Sequence, residues 1–108
     1  MTFDELEDTV AQWHRSRNLI DGSSDKKQMK KLFEEVNELH SDVLNGSDLR
    51  DELGDCLVVL INIATRNNFS LYEALEYSFS KIKDRKGQMI DGIFVKEEDL
   101  PKDWEYYV

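Results

Sequence analysis

The sequence predicts an all-α protein: a small four-helix bundle-type domain over residues 1–108, oligomeric, with an irregular C-terminal tail. Apolar residues recur at helical spacing in four segments. The one proline, Pro101, lies near the end of the chain, where it interrupts none of them. The 108 residues are 40% hydrophobic, which suits one modest core.

The first helix is predicted over residues 3–17. Thr2 and Glu5 have the spacing of a capping box. The apolar residues that follow step along one helical face, which we expect to be buried: Phe3, Leu6, Val10 and Trp13. His14 lies beside this face, and we expect it at the surface or half-buried.

The second helix is predicted over residues 25–44, with Asp25 as N-cap and Gln28 at the third helical position. Asn45-Gly46 ends it, because these residue types favour the left-handed conformation of a helix C-terminus. Its expected core face consists of Met29, Leu32, Phe33, Val36, Leu39 and Val43.

The third helix is predicted over residues 48–66, starting at Ser47 or Asp48. Its expected core face consists of Leu49, Leu53, Leu57, Leu60 and Ala64. Val58 and Ile61 lie on another side, so the helix is apolar almost all round. One short chain can hardly cover such a helix, and we therefore expect a homodimer or homotetramer.

The fourth helix is predicted over residues 71–86, with Ser70 as N-cap, Glu73 at the third position and Gly87 as its stop. Residues 88–108 read as an irregular tail with a short extended piece at 93–95. Three aromatic residues of this tail are expected to dock on the bundle: Trp104, Tyr106 and Tyr107.

Charge and composition exclude several function classes. The chain carries 23 acidic and 14 basic residues, a net charge of -9, which argues against nucleic acid and anionic membranes as partners. The apolar run from Cys56 to Ile61 is too short to span a bilayer. With a single cysteine and an acidic start that lacks the pattern of a signal peptide, a cytoplasmic location is expected.

Acidic residues lie at the edge of the buried face on two neighbouring helices. Glu35 flanks the core face of the second helix, and Glu38 follows at i+3. Glu52 and Asp55 repeat this spacing on the third helix. A short loop makes the two helices antiparallel, so both pairs can face one groove.

Four carboxylates at one groove favour a hard divalent cation, Mg²⁺ or alternatively Mn²⁺, over zinc. The competing interpretation is an ordinary solvated helix face, since glutamates are common on exposed helices. A ferritin-like di-iron site requires Glu-x-x-His pairs. His40 follows Asn37 at that spacing instead, so this alternative fails.

At these residues the sequence resembles the MazG-like all-α nucleoside triphosphate pyrophosphohydrolases. The family signature EExxE reads here Glu34-Glu35-x-x-Glu38, and after thirteen residues ExxD reads Glu52-x-x-Asp55. The later segment KIKDRKG is similar to the basic element of the family, with Lys81 and Arg85 at i,i+4 on the fourth helix.

The resemblance implies a small helical bundle that assembles into dimers or larger oligomers. It also implies hydrolysis of a nucleoside triphosphate to the monophosphate and pyrophosphate. The resemblance further implies three catalytic carboxylates: Glu34, Glu35 and Glu38. Glu34 would either support the site or orient the attacking water. The metal ligands that it implies are Glu35, Glu38, Glu52 and Asp55. The alternative is a non-catalytic helical module that keeps the fold and binds a nucleotide or a protein.

Four residues are candidates for substrate binding: Lys81, Arg85, Asn62 and Lys31. Lys81 and Arg85 can hold phosphates, or they can belong to an ordinary solvated helix end. Lys31 precedes Glu35 by four residues, so an i,i+4 ion pair competes with a phosphate contact. Asn62 is either a buried amide with its hydrogen bonds made inside the protein or a reader of a base edge.

Overall fold

The computed structural model describes residues 1–101, so the expected docking of Trp104, Tyr106 and Tyr107 lies outside the described residues. The all-α class is confirmed. The elements are α1 (Phe3–Ser16), α2 (Asp25–Asn45), α3 (Arg50–Arg66), α4 (Leu71–Ile82), β1 (Gly87–Ile90), β2 (Ile93–Lys96) and a short 3-10 helix, Glu97–Asp99. Within residues 1–101, no helix is both long enough and apolar enough to cross a membrane.

The chain forms two compact units, Met1–Leu75 and a second that begins at Glu76. In the first unit α2 packs along α3, and α3 also packs against α1. Asn67, just after α3, donates to the Asp25 carboxylate at the start of α2, with distances of 3.1 and 3.3 Å. The two helices are therefore antiparallel, as the short loop between them predicts.

Most helix ends follow the caps expected from the sequence. Thr2 and Glu5 form both hydrogen bonds of a capping box, and Gly46 takes a left-handed conformation with φ of 69°. The Ser70 hydroxyl accepts from the Glu73 N–H at 3.0 Å. The N-cap of α2 is Ser24 rather than Asp25, because the Ser24 hydroxyl accepts from the Lys27 N–H at 3.2 Å.

A buried polar chain joins α1 to α3. His14 is 3% exposed, so the expectation of a surface or half-buried position is wrong. Its Nε2 donates to the Val58 carbonyl at 3.0 Å, which leaves Nδ1 to accept from the Asn62 amide at 3.2 Å. The same amide donates to the Leu19 carbonyl at 3.0 Å. Burial lowers the pKa of His14, which is consistent with this neutral form.

Arg66, at the end of α3, fixes the loop between α1 and α2. Its guanidinium donates to the carbonyl oxygens of Ile20 and Ser23, both at 2.7 Å. Its Nε lies 2.9 Å from a carboxylate oxygen of Asp25. This planar fork therefore ties the entry of α2 to the last turn of α3.

Glu7 of α1 is 5% exposed and caps α4 from outside that helix. Its carboxylate accepts from the backbone N–H groups of Leu71 and Tyr72, the first two residues of α4. A negative side chain at a helix N-terminus is favourable, because the first N–H groups lack partners within the helix. The contact orients the start of α4 within the first unit.

The apolar faces predicted to be buried are largely exposed in the single chain. Trp13 is 45% exposed, with the Arg17 guanidinium 4.4 Å from the centre of its ring, so its expected core position is wrong. Ile61, expected on a different side, is buried at 5% exposure. The exposed members of the predicted faces in the first unit are Phe3, Leu6, Met29, Phe33, Val36, Val43, Leu53 and Leu57.

The second unit corrects the predicted tail. The last helix ends at Ile82 instead of residue 86, and residues 87–96, most of which were expected to be irregular, form a two-stranded antiparallel hairpin. The predicted extended piece at 93–95 is confirmed, because it lies within β2. The turn of the hairpin is Asp91-Gly92, with φ of 50° and 80°. Two residues with positive φ form the tight turn that matches strand twist, and Asp-Gly is a common sequence for it.

Candidate metal centre

Three carboxylates from two helices meet in the first unit. Glu35 and Glu38 extend from α2, and Asp55 extends from α3. One oxygen atom of each lies within 4.8 Å of the others. The antiparallel packing of α2 and α3 brings these residues together, as the spacing of the acidic residues predicts.

Glu35 is the most unusual member of this carboxylate cluster. It is 6% exposed. Its Oε1 lies 3.2 Å from Lys31 Nζ, whereas its buried Oε2 has no hydrogen-bond partner within residues 1–101. A buried oxygen without a partner costs about 1–3 kcal/mol, and more when it is charged. Such an atom beside two further carboxylates fits a cation ligand.

The cluster concentrates negative charge. The charge of Glu35 is the main cause that raises the pKa of Glu38, and burial adds to it. Burial is the main cause that raises the pKa of Asp55, followed by the charges of Asp51 and Glu35. Mutual repulsion of this kind is relieved when a cation binds between the groups.

Glu52 does not join the other three predicted ligands. It forms a second acidic group with Asp51 and Asp55, so Asp55 belongs to both groups. A hydrogen bond with Asp42 is the main cause that raises the pKa of Glu52 to about 7. The predicted quartet therefore divides into a cluster of three and one neighbouring residue.

Sequence reasoning missed Asp42 and Asp51. Asp42 follows Glu38 by four residues and thus lies one turn further along α2, while Asp51 directly precedes Glu52. Both spacings are visible in the sequence. Neither is distinctive among 23 acidic residues, so only the packing of the two helices identifies them.

The remaining candidates on α2 lie at the outer side of the cluster. Lys31 forms the ion pair with Glu35 and also lies 3.4 Å from a carboxylate oxygen of Glu34. These two acidic partners, with Glu35 as the largest cause, raise the pKa of Lys31. Glu34 is exposed, with its carboxylate outside the group of three.

Asn62 lies in the α1–α3 interface and is 0% exposed. Both its amide hydrogens are used, on His14 and the Leu19 carbonyl, and its oxygen accepts from Arg66 at 3.4 Å. The structure therefore favours the buried amide over a reader of a base edge. Its hydrogen-bonding capacity is already used inside the protein.

Lys81 and Arg85 belong to the second unit. Their predicted i,i+4 placement on one helix is wrong, because α4 ends at Ile82. Arg85 follows in a turn, in which the Arg85 N–H donates to the Ile82 carbonyl at 3.0 Å. The Lys81 ammonium lies 5.0 Å from the centre of the Tyr77 ring. Their contact with a substrate stays a prediction.

The donor set fits a hard divalent cation. Every side chain in the cluster offers carboxylate oxygen, and the unpartnered oxygen of Glu35 faces no competing hydrogen-bond donor among residues 1–101. Magnesium prefers such ligands, as does manganese. Fold and site together define a small all-α domain that presents carboxylates from two adjacent antiparallel helices.

The family is established by comparison with known proteins. The profile of the MazG nucleotide pyrophosphohydrolase domain matches residues 23–90, more than half of the chain. The chain belongs to this family, as its acidic motifs predict. The matched residues include α2 and α3, which carry all the carboxylates of the candidate metal centre.

A relative in Haemophilus phage HP1 (strain HP1c1) is 38% identical over 66 residues. It is described as an uncharacterized 18.2 kDa protein in the rep-hol intergenic region. The aligned part is 59% of this chain and 40% of the relative, so the chain spans less than half of that protein's length. Comparison with solved structures gives no significant match.

Proposed function

We propose that this protein hydrolyses a nucleoside triphosphate to the nucleoside monophosphate and pyrophosphate, with Mg²⁺ as its cofactor or Mn²⁺ in its place. Membership of the MazG nucleotide pyrophosphohydrolase domain family supports the reaction class. The observation that carries the proposal is the unpartnered, buried Oε2 of Glu35 beside Glu38 and Asp55.

Glu35, Glu38 and Asp55 would hold the cation, and Glu52 is available as a further ligand through the acidic group that it shares with Asp55. A bound divalent cation neutralises charge on the triphosphate and lowers the pKa of bound water. The chain itself supplies the fixed arrangement of carboxylates, set by the packing of α2 on α3.

Glu34 has the access needed to act on water. Its side chain is exposed and adjacent to Glu35, and it can accept or orient a proton at a carboxylate oxygen. Lys81 and Arg85 can bind phosphate oxygens of the substrate, Arg85 through its planar guanidinium. In the proposed reaction, water adds to the α-phosphorus and gives up a proton. The bond between the α-phosphorus and the oxygen that bridges to the β-phosphorus breaks, and pyrophosphate leaves.

The test is an assay of pyrophosphate release over the canonical and several modified ribo- and deoxyribonucleoside triphosphates, with Mg²⁺, with Mn²⁺ and with a chelator. We expect release only with a divalent ion. Hydrolysis in H₂¹⁸O should place the label in the monophosphate if water attacks the α-phosphorus. Release of orthophosphate instead, or no release with any nucleotide, would contradict the proposal.

The assay also separates the enzyme from a non-catalytic binding module. A module of that kind would bind a nucleotide in equilibrium dialysis and leave it intact after prolonged incubation with either ion.

We further propose that the protein works as a homodimer or homotetramer in the cytoplasm. The apolar residues left exposed on α1, α2 and α3 support assembly, and the single cysteine suits a reducing compartment.

A further inference from the structure

We propose that Lys31 is a positioning residue that makes the site selective for Mg²⁺ over Ca²⁺. The ion pair between Lys31 and Glu35 limits Glu35 to one oxygen as a metal ligand. This inference rests on the proposed function, because it concerns the same cation site.

The two oxygens of Glu35 have different surroundings. Oε1 lies 3.2 Å from the Lys31 ammonium. Oε2 is buried and has no hydrogen-bond partner within residues 1–101, in a side chain that offers one oxygen to the carboxylate cluster. The terminal torsion of a glutamate side chain is broad and does not by itself hold the carboxylate plane. Lys31 therefore supplies a restraint that the side chain lacks.

This restraint matters differently for the two ions. Mg²⁺ requires near-ideal octahedral geometry, which suits carboxylates that each offer one oxygen. Ca²⁺ accepts six to eight oxygens in flexible geometry, and a carboxylate often binds it through both. An ammonium group on Oε1 opposes the two-oxygen mode and hence disfavours Ca²⁺.

A role limited to the stability of α2 would leave the preference between the two ions unchanged. Lys31 is more than half exposed but Glu35 is buried, so loss of Lys31 by that mechanism would lower the free energy of unfolding and favour neither ion. Simple electrostatics predicts a different result, because a positive charge next to a cation site repels every divalent ion alike. Loss of Lys31 by that mechanism alone would tighten the binding of Mg²⁺ and Ca²⁺ equally.

The test measures the dissociation constants of Mg²⁺, Mn²⁺ and Ca²⁺ for the nucleotide-free 108-residue chain by isothermal titration calorimetry. We expect Lys31→Met to weaken Mg²⁺ binding by about tenfold, the lower end of the range for residues that orient metal ligands. Ca²⁺ binding should stay unchanged or become tighter. Lys31→Arg, which can still donate to Oε1, should retain the wild-type preference.

Lys30→Met is the matched control, since it removes the same charge from the neighbouring exposed position of α2. It should shift both ions slightly and by the same factor. If Lys31→Met also shifts both ions by one common factor, or tightens Mg²⁺, the positioning role is wrong while the proposed function stands. If the wild-type protein binds neither Mg²⁺ nor Mn²⁺, the proposed function itself is wrong.

Discussion

Among the single residues of the site, Asp55 is shared by two groups of carboxylates. It belongs both to the cluster with Glu35 and Glu38 and to the acidic group with Asp51 and Glu52. Removal of its charge therefore affects both groups that could hold an ion within residues 1–101. Glu38 belongs to the first cluster alone, so a change at Glu38 tests that cluster separately from the acidic group.

We predict that Asp55→Asn and Glu38→Gln each lower turnover by about 100-fold or more, because charge stabilisation worth several kcal/mol depends on the bound ion. Each change keeps the shape of the side chain and removes one anionic ligand. Turnover is measured by pyrophosphate release, and far-ultraviolet circular dichroism checks the helices. Asp21→Asn, in the exposed loop before α2, is the control. Wild-type turnover in either ligand variant would refute the assignment.

A second prediction concerns the basic segment after α4. Arg85→Ala should raise the KM or lower the kcat several-fold without any change in Mg²⁺ affinity, because Arg85 is proposed to bind phosphate and not the ion. Lys83→Ala removes one charge from the same segment and serves as the comparison. Identical kinetics in the Arg85 and Lys83 variants would show that Arg85 is an ordinary solvated residue and does not bind phosphate.

At the scale of elements, the contact between α1 and α3 depends on a neutral histidine. Protonated His14 would carry a hydrogen on Nδ1, directed at the Asn62 amide group that now donates to it. Two donors facing each other lose the hydrogen bond and repel. The junction is thereby sensitive to acid.

Burial lowers the pKa of His14 below its ordinary value of 6.5, so the unfolded chain binds this proton more readily than the folded one. The stabilisation is fully present above pH 6.5 and is lost as the pH falls toward the folded-state pKa. The slope cannot exceed about 1.4 kcal/mol per pH unit for one proton. Glu52, whose pKa is raised to about 7, contributes the opposite slope in this range. We therefore predict that thermal denaturation between pH 7.5 and 5.5 shows the loss as a difference between the wild type and His14→Gln, which share the Glu52 contribution.

In His14→Gln this component of the pH dependence should disappear, although the variant is less stable at every pH. His40→Gln, at an exposed position of α2, should keep the wild-type slope and is the matched control. Equal slopes for all three proteins would show that His14 does not titrate with folding.

Local chemistry explains which elements were predictable. The capping box at Thr2 and the glycine at 46 act within a few residues, so the sequence alone identifies them. The burial of Glu7 depends on the N–H groups of Leu71 and Tyr72, more than sixty residues away. The turn at Asp91-Gly92 has a sequence signal of its own, which the prediction of an irregular tail over residues 88–108 overlooked.

The candidate site was predictable only where residues close in the sequence determine it. Spacing within one helix identified the carboxylates, and the antiparallel arrangement brought Glu35, Glu38 and Asp55 together as expected. The displacement of Glu52 toward Asp42 depends on how α2 and α3 pack. A pattern of helical periodicity contains no information on that packing.

For the whole molecule, the exposed apolar surface is the main feature that the single chain does not explain. Phe3, Leu6 and Leu57 are exposed and line one apolar groove between α1 and α3, with a volume of about 220 Å³. The buried apolar residues are few and mostly small. A second copy of the chain packed on this groove would cover these residues, and we propose this arrangement for the oligomer.

We predict that Leu57→Glu dissociates the oligomer and lowers activity, because a charge in an apolar interface stays unpaired. Light scattering coupled to size-exclusion chromatography gives the molar mass. Gln12→Glu adds the same charge at an exposed position of α1 and should leave the mass unchanged. A wild-type protein that is monomeric and fully active at micromolar concentration would refute the proposed assembly. Ile61 is unsuitable for this test, because it is already buried within the chain.

The arrangement of α2 and α3 also has a mechanical consequence. The pair is joined at one end by the four-residue connection Gly46–Leu49 and at the other by Asp25 with Arg66 and Asn67. Because both ends of the pair are held, we expect the two helices to bend little relative to each other. Glu35 and Asp55 lie along the span between these ends. We therefore expect thermal motion to change the separation of their carboxylates little, which would suit the strict geometry of the proposed Mg²⁺.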